Sequence, residues 1–462
     1  MNSPLEQSVI APPVIAQTGI GTTPSTLPST HHSMDTALLG CSGTATGNPA
    51  ETHQVLNIGS ELPDINLFDT DPALQEALTR EGADWAKNTL RDFGARMGSQ
   101  HQAELGAIAN KVLPELHTHD RFGQRVDQVD YHPAYHELMK TAIEQGLHAS
   151  PWTAPVAGAH VARAAQSYLD GQIEAGHGCP ITMTFASVPS LLQQPALAEL
   201  FIPLITSGVY DPRNVPFFEK KGLTVGMGMT EKQGGSDVRA NTTRAVPLTQ
   251  AESAKPGIEP YSLTGHKWFL SAPMCDLFLV LAQTEGGLSC FLVPRYRPDG
   301  SKNGLHVIRL KDKMGNQSNA SSEVEFREAL GWRVGAEGRG VSTIIEMVSL
   351  TRFDCMVGSS ALMRRGLVLA IHHASVRSAF GKKLIDQRLM QNVLADLALE
   401  SEAALMLSMR VARALDQRTT SSHEADFLRL ATAVGKYWIC KRTPPMCYEI
   451  MECIGGSGVM EN

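Results

Sequence analysis

The fold is decided by one stretch of sequence, Gly-Met-Thr-Glu-Lys-Gln-Gly-Gly-Ser-Asp-Val-Arg-Ala at residues 228–240. The apolar run at residues 223–229 predicts a β-strand that leads into a loop. Two adjacent glycines lie in that loop with a hydroxyl on either side, from Thr230 and Ser236. Because glycine has no Cβ, the backbone N–H groups of such a loop can approach a pyrophosphate closely. A lone Gly-Gly-Ser would indicate only a polar turn, but the length of the pattern favours an anion-binding loop.

The sequence on either side of this loop is mostly helical. Near the start, Asp71 is a predicted helix N-cap, because Pro72 fits the first helical position. Residues 157–174 carry apolar side chains at helical spacing and predict another helix. Three longer helices are predicted toward the end of the chain, at residues 341–374, 389–417 and 423–451.

Between these helical regions the pattern predicts a small antiparallel β domain. Residues 276–284 and 288–294 are apolar runs separated by Gly286-Gly287, which is typical of a β-hairpin. The order of helices, sheet and helices differs from the alternation of a βαβ fold. The predicted divisions are a disordered tail at 1–60, a helical domain at 61–221, a β domain at 222–334 and a C-terminal helical domain at 335–462.

Residues 1–60 differ in composition from the rest of the chain. They are rich in Pro, Ser and Thr, and the first basic residue is Arg80. Such a segment buries too little apolar surface to order, so we expect it to be disordered. It also lacks the basic residues of a secretory signal or a mitochondrial presequence. The pair His31-His32 offers too few ligands for a metal, and no metal site is expected.

Composition argues against several classes of protein. Forty Lys and Arg residues against 47 Asp and Glu residues give a net charge of −7, which argues against a generally basic nucleic-acid-binding surface. No apolar run reaches the about 18 residues of a membrane-spanning helix, so no membrane partner is expected. The eight cysteines contain no CxxC pair. We therefore expect a reducing, cytoplasmic location without disulfides or a zinc module.

The motifs of the common nucleotide- and metal-dependent enzymes do not occur. Gly226-Met227-Gly228 begins like a dinucleotide-binding fingerprint, but Glu231 stands where the third glycine should be. The sequence contains neither a P-loop nor an HExxH or GxSxG motif. The usual hydrolase, NTPase and zinc-enzyme interpretations therefore have no support.

The stretch at 228–240 resembles the first signature of the acyl-CoA dehydrogenase flavoproteins. Three further segments, at 265–271, 377–384 and 452–459, resemble later motifs of that family in the same order. The resemblance covers about residues 62–462. Within the family it is similar to the alkylation-response branch of the AidB type, on the residues at 229–238, 241–245, 311–321 and 351–355.

The resemblance implies an α+β fold with an N-terminal helical domain, a middle antiparallel β domain and a C-terminal helical bundle, here expected to be incomplete. It also implies an FAD cofactor and a homotetramer. Phe269 replaces the family's usual Trp and Ser271 its usual Thr. The residues implied to bind FAD in the same subunit are Met227, Gly228, Met229, Thr230, Glu231, Lys232, Gln233, Gly234, Gly235, Ser236, Phe269, Leu270 and Ser271. Those implied to reach the FAD of a neighbouring subunit are Arg377, Phe380, Gln391, Glu452, Gly455 and Gly456.

By the same resemblance, the reaction is α,β-dehydrogenation of an acyl-CoA thioester, with hydride transfer to flavin N5. The implied substrate contacts are Thr230, Ser236 and Ser271. The chain given ends at Asn462, inside the second signature, whereas most members carry the catalytic Glu on a later loop. Thr351 matches the position of the base in a minority of members and cannot act as one. The catalytic residue is therefore unknown, and a DNA-associated flavoprotein that protects against alkylation damage and a non-functional truncated flavoprotein are the alternatives.

Overall fold

The computed structural model describes residues 52–248 and 257–460. The contacts within the chain distinguish two units, residues 1–55 and residues 56–462. All helices and strands given below belong to the second unit. The predicted disordered tail and the pair His31-His32 lie outside the described residues, except for the last part of the tail.

The first region of the second unit contains eight helices and one hairpin. Asp71 caps the first helix through a hydrogen bond from the Leu74 N–H to its side chain (3.1 Å), and Pro72 occupies the first helical position, as predicted. The elements are α1 (Pro72–Arg80), α2 (Lys87–Met97), α3 (Gln100–Lys111), β1 (Glu115–His119), β2 (Arg125–Asp130), α4 (Pro133–Glu144), α5 (Ser150–Thr153), α6 (Ala159–Asp170), α7 (Gly178–Leu191) and α8 (Pro195–Ile205).

Two details of this region differ from the prediction. The sequence does not predict the hairpin of β1 and β2, because its strands are short, polar and only partly buried, so they carry little apolar alternation. The helix predicted at 157–174 ends at Asp170. The side chains of Asp170 and Glu174 bind His177 instead, which fixes a turn between α6 and α7.

The middle region is a closed seven-stranded sheet. Its strands are β3 (Val225–Gly228), β4 (Arg244–Pro247), β5 (Pro260–Ser271), β6 (Leu277–Thr284), β7 (Gly287–Pro294), β8 (Leu305–Leu310) and β9 (Ser321–Val334). The ring runs β6–β7–β9–β5–β4 and returns to β6, while β3 pairs with β6 and β8 pairs with β9. Residues 277–282 are fully buried, which explains the unbroken apolar run of β6.

The predicted antiparallel β domain also contains parallel pairs, at one edge of β6. Both β3 and β4 pair with β6 in the parallel sense, β3 along four residue pairs and β4 at the single pair Arg244 and Gln283. The loop after β3 carries the chain forward along the same edge of β6 instead of turning it back. This loop is the one at 229–240, and its path places it beside β5 as well.

The last region contains three long helices and a short hairpin. The helices are α9 (Gly340–Val376), α10 (Arg388–Gln417) and α11 (Ser422–Ile454), and a turn of 3-10 helix follows at Gly455–Val459. The hairpin between α9 and α10 is formed by β10 (Ser378–Ala379) and β11 (Lys382–Lys383). The predicted order of helices, sheet and helices is confirmed. Among the described residues, none of the helices combines the length and apolar character needed to cross a membrane.

Candidate functional site

Two hydrogen bonds, each donated by a main-chain N–H group, hold the loop at 229–236 against strand β5. The Trp268 N–H donates to the Thr230 carbonyl (2.8 Å), and the Lys232 N–H donates to Nε2 of His266 (3.0 Å). The loop therefore runs alongside the strand that carries Phe269 and Ser271. Ser236 is exposed at its far end.

A buried ion pair holds the loop against the core of the β domain. Glu231 Oε1 lies 2.7 Å from Lys267 Nζ, and both side chains are fully buried. The Thr242 N–H and the Thr243 hydroxyl also donate to this carboxylate, at 2.7 and 2.6 Å. Burial alone would raise the pKa of Glu231, but the Lys267 ammonium and these hydrogen bonds hold that pKa at about 2.

Two of the predicted cofactor-binding residues, Glu231 and Gln233, have side chains that are bound within the chain. The carboxylate of Glu231 points into the domain and is fully occupied, so it positions the loop and does not reach a ligand. The Gln233 amide nitrogen is also occupied, because it donates to Glu231 Oε2 (2.8 Å) and to the Ala240 carbonyl (3.1 Å).

The two glycines serve different purposes in the loop. Gly234 has a φ of +138°, a conformation that favours glycine, and a side chain there would point into open space. A Cβ on Gly235 would lie 2.5 Å from Oγ1 of Thr230. Gly235 was predicted for its approach to phosphate oxygens, whereas within the chain it allows the loop to fold tightly onto Thr230.

Strand β5 presents alternate side chains to the same side of the sheet as the loop. Phe269 is 46% exposed and Ser271 is half-buried. Leu270 is fully buried and packs against the β3 backbone, 3.2 Å from the position of a Cβ on Gly228. The Leu270 side chain therefore belongs to the core, and the predicted cofactor contact at this position is left to its backbone.

Basic side chains surround the exposed aromatic rings of β5. Lys311 Nζ lies 3.2 Å from the centroid of the Trp268 ring and 4.8 Å from that of Phe269. It also pairs with Glu323 at 2.7 Å. Residues 311–313 carry part of the family resemblance but no predicted role, because their proximity to β5 depends on the β5–β9 pairing.

A buried imidazolium lies where the helical domain meets the segment at 313–321. His177 is fully buried and contacts Asp170 through Nε2 and Glu174 through Nδ1, at 2.9 Å each. Burial lowers the pKa of His177, but the two carboxylates more than offset this and raise it to about 10. Glu174 also accepts a hydrogen bond from Ser318 Oγ (2.8 Å), so the cluster fixes the 313–321 segment against the helices.

The six residues predicted to reach a neighbouring subunit lie on the C-terminal helices and their connecting turn. Phe380 is fully exposed, and the Arg377 guanidinium donates to the Asn57 carbonyl. Asn57 in turn exchanges two side-chain hydrogen bonds with the Ser378 backbone, at 2.7 Å each. Among the described residues, no hydrogen bond or ion pair joins the six to the loop at 227–236.

The residues present fit a flavin dinucleotide. The space beside Gly234 is open, the Ser236 hydroxyl is exposed, and the Phe269 ring offers a half-exposed aromatic face beside the Ser271 hydroxyl. An anion such as a pyrophosphate suits the first two groups, and a planar ring suits the third. Within the described ranges, no cluster of side chains has the composition of a metal site.

Comparisons with known proteins identify the class. Residues 57–212 match the family described as the adaptive response protein AidB N-terminal domain. Residues 226–329 match the acyl-CoA dehydrogenase middle domain, and residues 338–462 match the acyl-CoA dehydrogenase C-terminal domain. The fold and the site are thus those of an acyl-CoA dehydrogenase-type flavoprotein.

Individual relatives narrow the assignment. The chain is 49% identical to the AidB protein of Escherichia coli (strain K12) over 413 residues, which cover 89% of this chain and 75% of that protein. It is 31% identical to acyl-CoA dehydrogenase family member 11 of Caenorhabditis elegans, covering 86% of this chain and 66% of that protein. The chain belongs to the acyl-CoA dehydrogenase family, in its AidB-like branch.

Solved structures agree with this assignment. The Caenorhabditis elegans protein ACDH-11 in complex with C11-CoA superposes with a TM-score of 0.80 at 30% identity, covering 90% of this chain and 71% of that one. Butyryl-CoA dehydrogenase from Megasphaera elsdenii has a TM-score of 0.61 at 18% identity, over 84% of this chain and 89% of that one, and shows a shared fold. The family assignment supports FAD as the cofactor.

Proposed function

We propose that the chain binds FAD at the loop of residues 229–236 and dehydrogenates an acyl-CoA thioester between its α- and β-carbons. The observation that carries this proposal is the open space beside Gly234 and the exposed Ser236 hydroxyl, on a loop that runs alongside the strand of the exposed Phe269 ring and the Ser271 hydroxyl. When bound, FAD supplies the acceptor for the hydride that leaves the substrate. The protein holds the cofactor and the substrate in place. We also propose that the chain divides into domains at residues 61–221, 222–334 and 335–462.

Each exposed group of the site has a separate role in this proposal. The backbone around Gly234 and the Ser236 hydroxyl hold the pyrophosphate, as an anion-binding nest does. The Phe269 ring packs against the flavin. The hydroxyls of Thr230 and Ser271 donate hydrogen bonds to the flavin edge or to the thioester oxygen, where negative charge develops. Lys267 and Glu231 keep the loop in the shape that these roles need.

The described residues include no carboxylate matched to the catalytic base. Thr351 lies on α9, and its hydroxyl donates to the Val348 carbonyl (3.0 Å). Glu452 is exposed near the end of α11, where it hydrogen-bonds to Tyr448. General acid–base groups contribute about 10²–10⁴-fold to such rates. We therefore expect the chain of residues 1–462 to bind acyl-CoA but to turn it over slowly.

The test separates binding from turnover. FAD-loaded protein is titrated with short straight and branched acyl-CoA thioesters, while the flavin absorbance spectrum is recorded, and is then assayed with an artificial electron acceptor. The proposal expects a saturable spectral change with slow turnover. No spectral change with any thioester would contradict acyl-CoA as the substrate class, and rapid turnover would show that a base lies within residues 1–462.

We propose in addition that FAD is bound between two copies of the chain, in a homotetramer. The support is the position of Arg377, Phe380, Gln391, Glu452, Gly455 and Gly456, which lie away from the loop at 227–236 and include a fully exposed Phe380.

The seven cysteines of the described ranges are all free, which agrees with the proposed cytoplasmic location.

A second candidate is a DNA-associated flavoprotein that protects against alkylation damage. Its support is the match of residues 57–212 to the adaptive response protein AidB domain and the 49% identity to AidB. With a net charge of −7, duplex binding would need a local basic surface. Fluorescence anisotropy with a labelled duplex tests this candidate. Binding that weakens as salt rises supports it, and the absence of binding at low salt contradicts it.

A further inference from the structure

Ser271 is joined to a lysine by a chain of hydrogen bonds that the resemblance does not assign. Ser271 is the last residue of β5, and Ser321 is the first residue of β9 directly opposite it in the sheet. Their hydroxyl oxygens are 3.2 Å apart. Ser321 Oγ in turn lies 3.3 Å from Lys313 Nζ. The pairing of β5 with β9 therefore fixes the two serines, and Lys313 reaches them from the preceding loop.

All three donors of the Lys313 ammonium are occupied. Besides Ser321 Oγ, Nζ donates to the carbonyl oxygens of Asn316 (2.9 Å) and Asn319 (2.5 Å). An ammonium group has three donors and no acceptor, so at Ser321 it can only donate. The hydroxyl oxygen of Ser321 therefore acts as the acceptor in this contact.

The direction of the next bond follows from satisfying Ser321. Its residue is 5% exposed, and among the described residues its hydroxyl has no other acceptor than Ser271 Oγ. A buried hydroxyl hydrogen without an acceptor is costly, so Ser321 donates to Ser271. Ser271 is thereby an acceptor toward Ser321, and its own hydrogen is directed away from β9. The neighbouring Cys179 thiol, which hydrogen-bonds with Ser271, is only a weak acceptor.

We propose that Lys313, acting through Ser321, is a positioning residue that fixes the Ser271 hydroxyl as a hydrogen-bond donor toward the bound flavin. The inference rests on the proposed FAD site and adds the polarity of one of its contacts. An oxidised flavin presents acceptors along its polar edge, and a Ser271 hydroxyl that already accepts from Ser321 can donate to the flavin in preference to the weak Cys179 acceptor. Lys313 and Ser321 themselves contact neither flavin nor substrate.

A double-mutant cycle tests the relay by its dependence on Ser271. Apo-protein of the full chain is titrated with FAD, and binding is followed by quenching of flavin fluorescence. Loss of one such hydrogen bond is expected to weaken FAD binding about three- to tenfold. Ser321→Ala and Lys313→Met should each do so when Ser271 is present, and neither should weaken binding further in the Ser271→Ala background.

Two controls separate this role from a structural one. Lys221→Met removes an exposed lysine away from the site and should leave FAD binding unchanged. Urea denaturation of each variant reports whether the segment at 313–321 still supports the fold. An effect of Ser321→Ala that is as large without Ser271 as with it would overturn the relay alone. Failure of the wild-type chain to bind FAD would overturn the proposed function and the relay together.

Discussion

Gly235 has no room for a side chain, because Thr230 lies directly against it. A Cβ at this position would come within 2.5 Å of Thr230 Oγ1. Gly235→Ala should therefore displace Thr230 and open the loop, with about tenfold weaker FAD binding from the loss of about one hydrogen bond. Gly208→Ala is the matched control, since a Cβ there meets nothing within 4 Å. Equal FAD affinity in the two variants, measured by fluorescence titration, would show that Thr230 makes no contact with the cofactor.

The pair of Glu231 and Lys267 should behave as a buried ion pair. Glu231→Gln leaves the Lys267 ammonium buried without a counter-charge, and breaking such a pair typically costs about 3–5 kcal/mol. The double variant Glu231→Gln, Lys267→Met should recover much of that loss, because no charge is left buried. Urea unfolding of the single and double variants measures both values. A single variant as stable as the wild type would mean that the pair does not anchor the loop.

At the scale of residues, the sequence predicts which segments form the candidate site but not which way each side chain points. The loop at 228–240, Phe269 and Ser271 are predicted from the family resemblance. Glu231 and Leu270 lie in these same two segments of the sequence, yet both of their side chains are buried in the core. The orientation of Glu231 depends on Lys267, which lies 36 residues away, and the sequence gives no local signal for such a pairing.

His177, in the turn between α6 and α7, should make the free energy of unfolding decrease at alkaline pH. The folded-state pKa of His177 is raised to about 10 from the ordinary 6.5. Its contribution is therefore fully present below pH 6.5 and is lost as the pH rises through the folded pKa. Between these two pKa values, the equilibrium constant for folding should fall by up to about tenfold per pH unit. Urea midpoints across this pH range measure the effect, and His177→Gln should abolish this part of the pH dependence.

His148 is a control of opposite sign on the preceding segment. Burial lowers its pKa to about 4, against a smaller raising effect of the Ser207 carbonyl. The stability it contributes is present above pH 6.5 and is lost as the pH falls toward 4. His148→Gln should therefore change the acid limb and leave the alkaline limb intact. If His177→Gln leaves the alkaline limb unchanged, the two carboxylates do not hold His177 as an imidazolium.

At the scale of elements, apolar periodicity predicted the long helices to within a few residues, because each carries a continuous buried face. The capped start at Asp71 and Pro72 was also predictable, since both signals are local. The hairpin of β1 and β2 and the parallel pairing of β3 with β6 were not. Both depend on contacts between distant segments that leave no pattern in the strands themselves.

At the scale of the whole molecule, cofactor retention and assembly should be linked. Phe380 is fully exposed in the turn between β10 and β11, and Leu389 is 85% exposed at the start of α10, a surface suited to a second copy. Phe380→Ser should shift the chain toward smaller assemblies and lower FAD retention most at low protein concentration, as should Arg377→Ala. Light scattering and flavin absorbance on the same samples measure both effects.

Phe122→Ser provides the matched control for this experiment. Phe122 is also an exposed aromatic residue, at 72%, but it lies in the hairpin of β1 and β2 and not on the C-terminal helices. The variant should keep the wild-type assembly and its FAD. A Phe380→Ser protein that retains full FAD as a monomer would contradict binding of the cofactor between two copies.

The central claim is that the loop at 229–236 and strand β5 form an FAD site. The most direct measurement is the flavin content of the purified, folded chain, determined by absorbance and by chromatography of the flavin released on denaturation. The account predicts yellow protein with about one FAD per chain, or apo-protein that takes up FAD to that ratio. A well-folded, colourless protein that binds no added FAD at any concentration where it remains assembled would contradict the account.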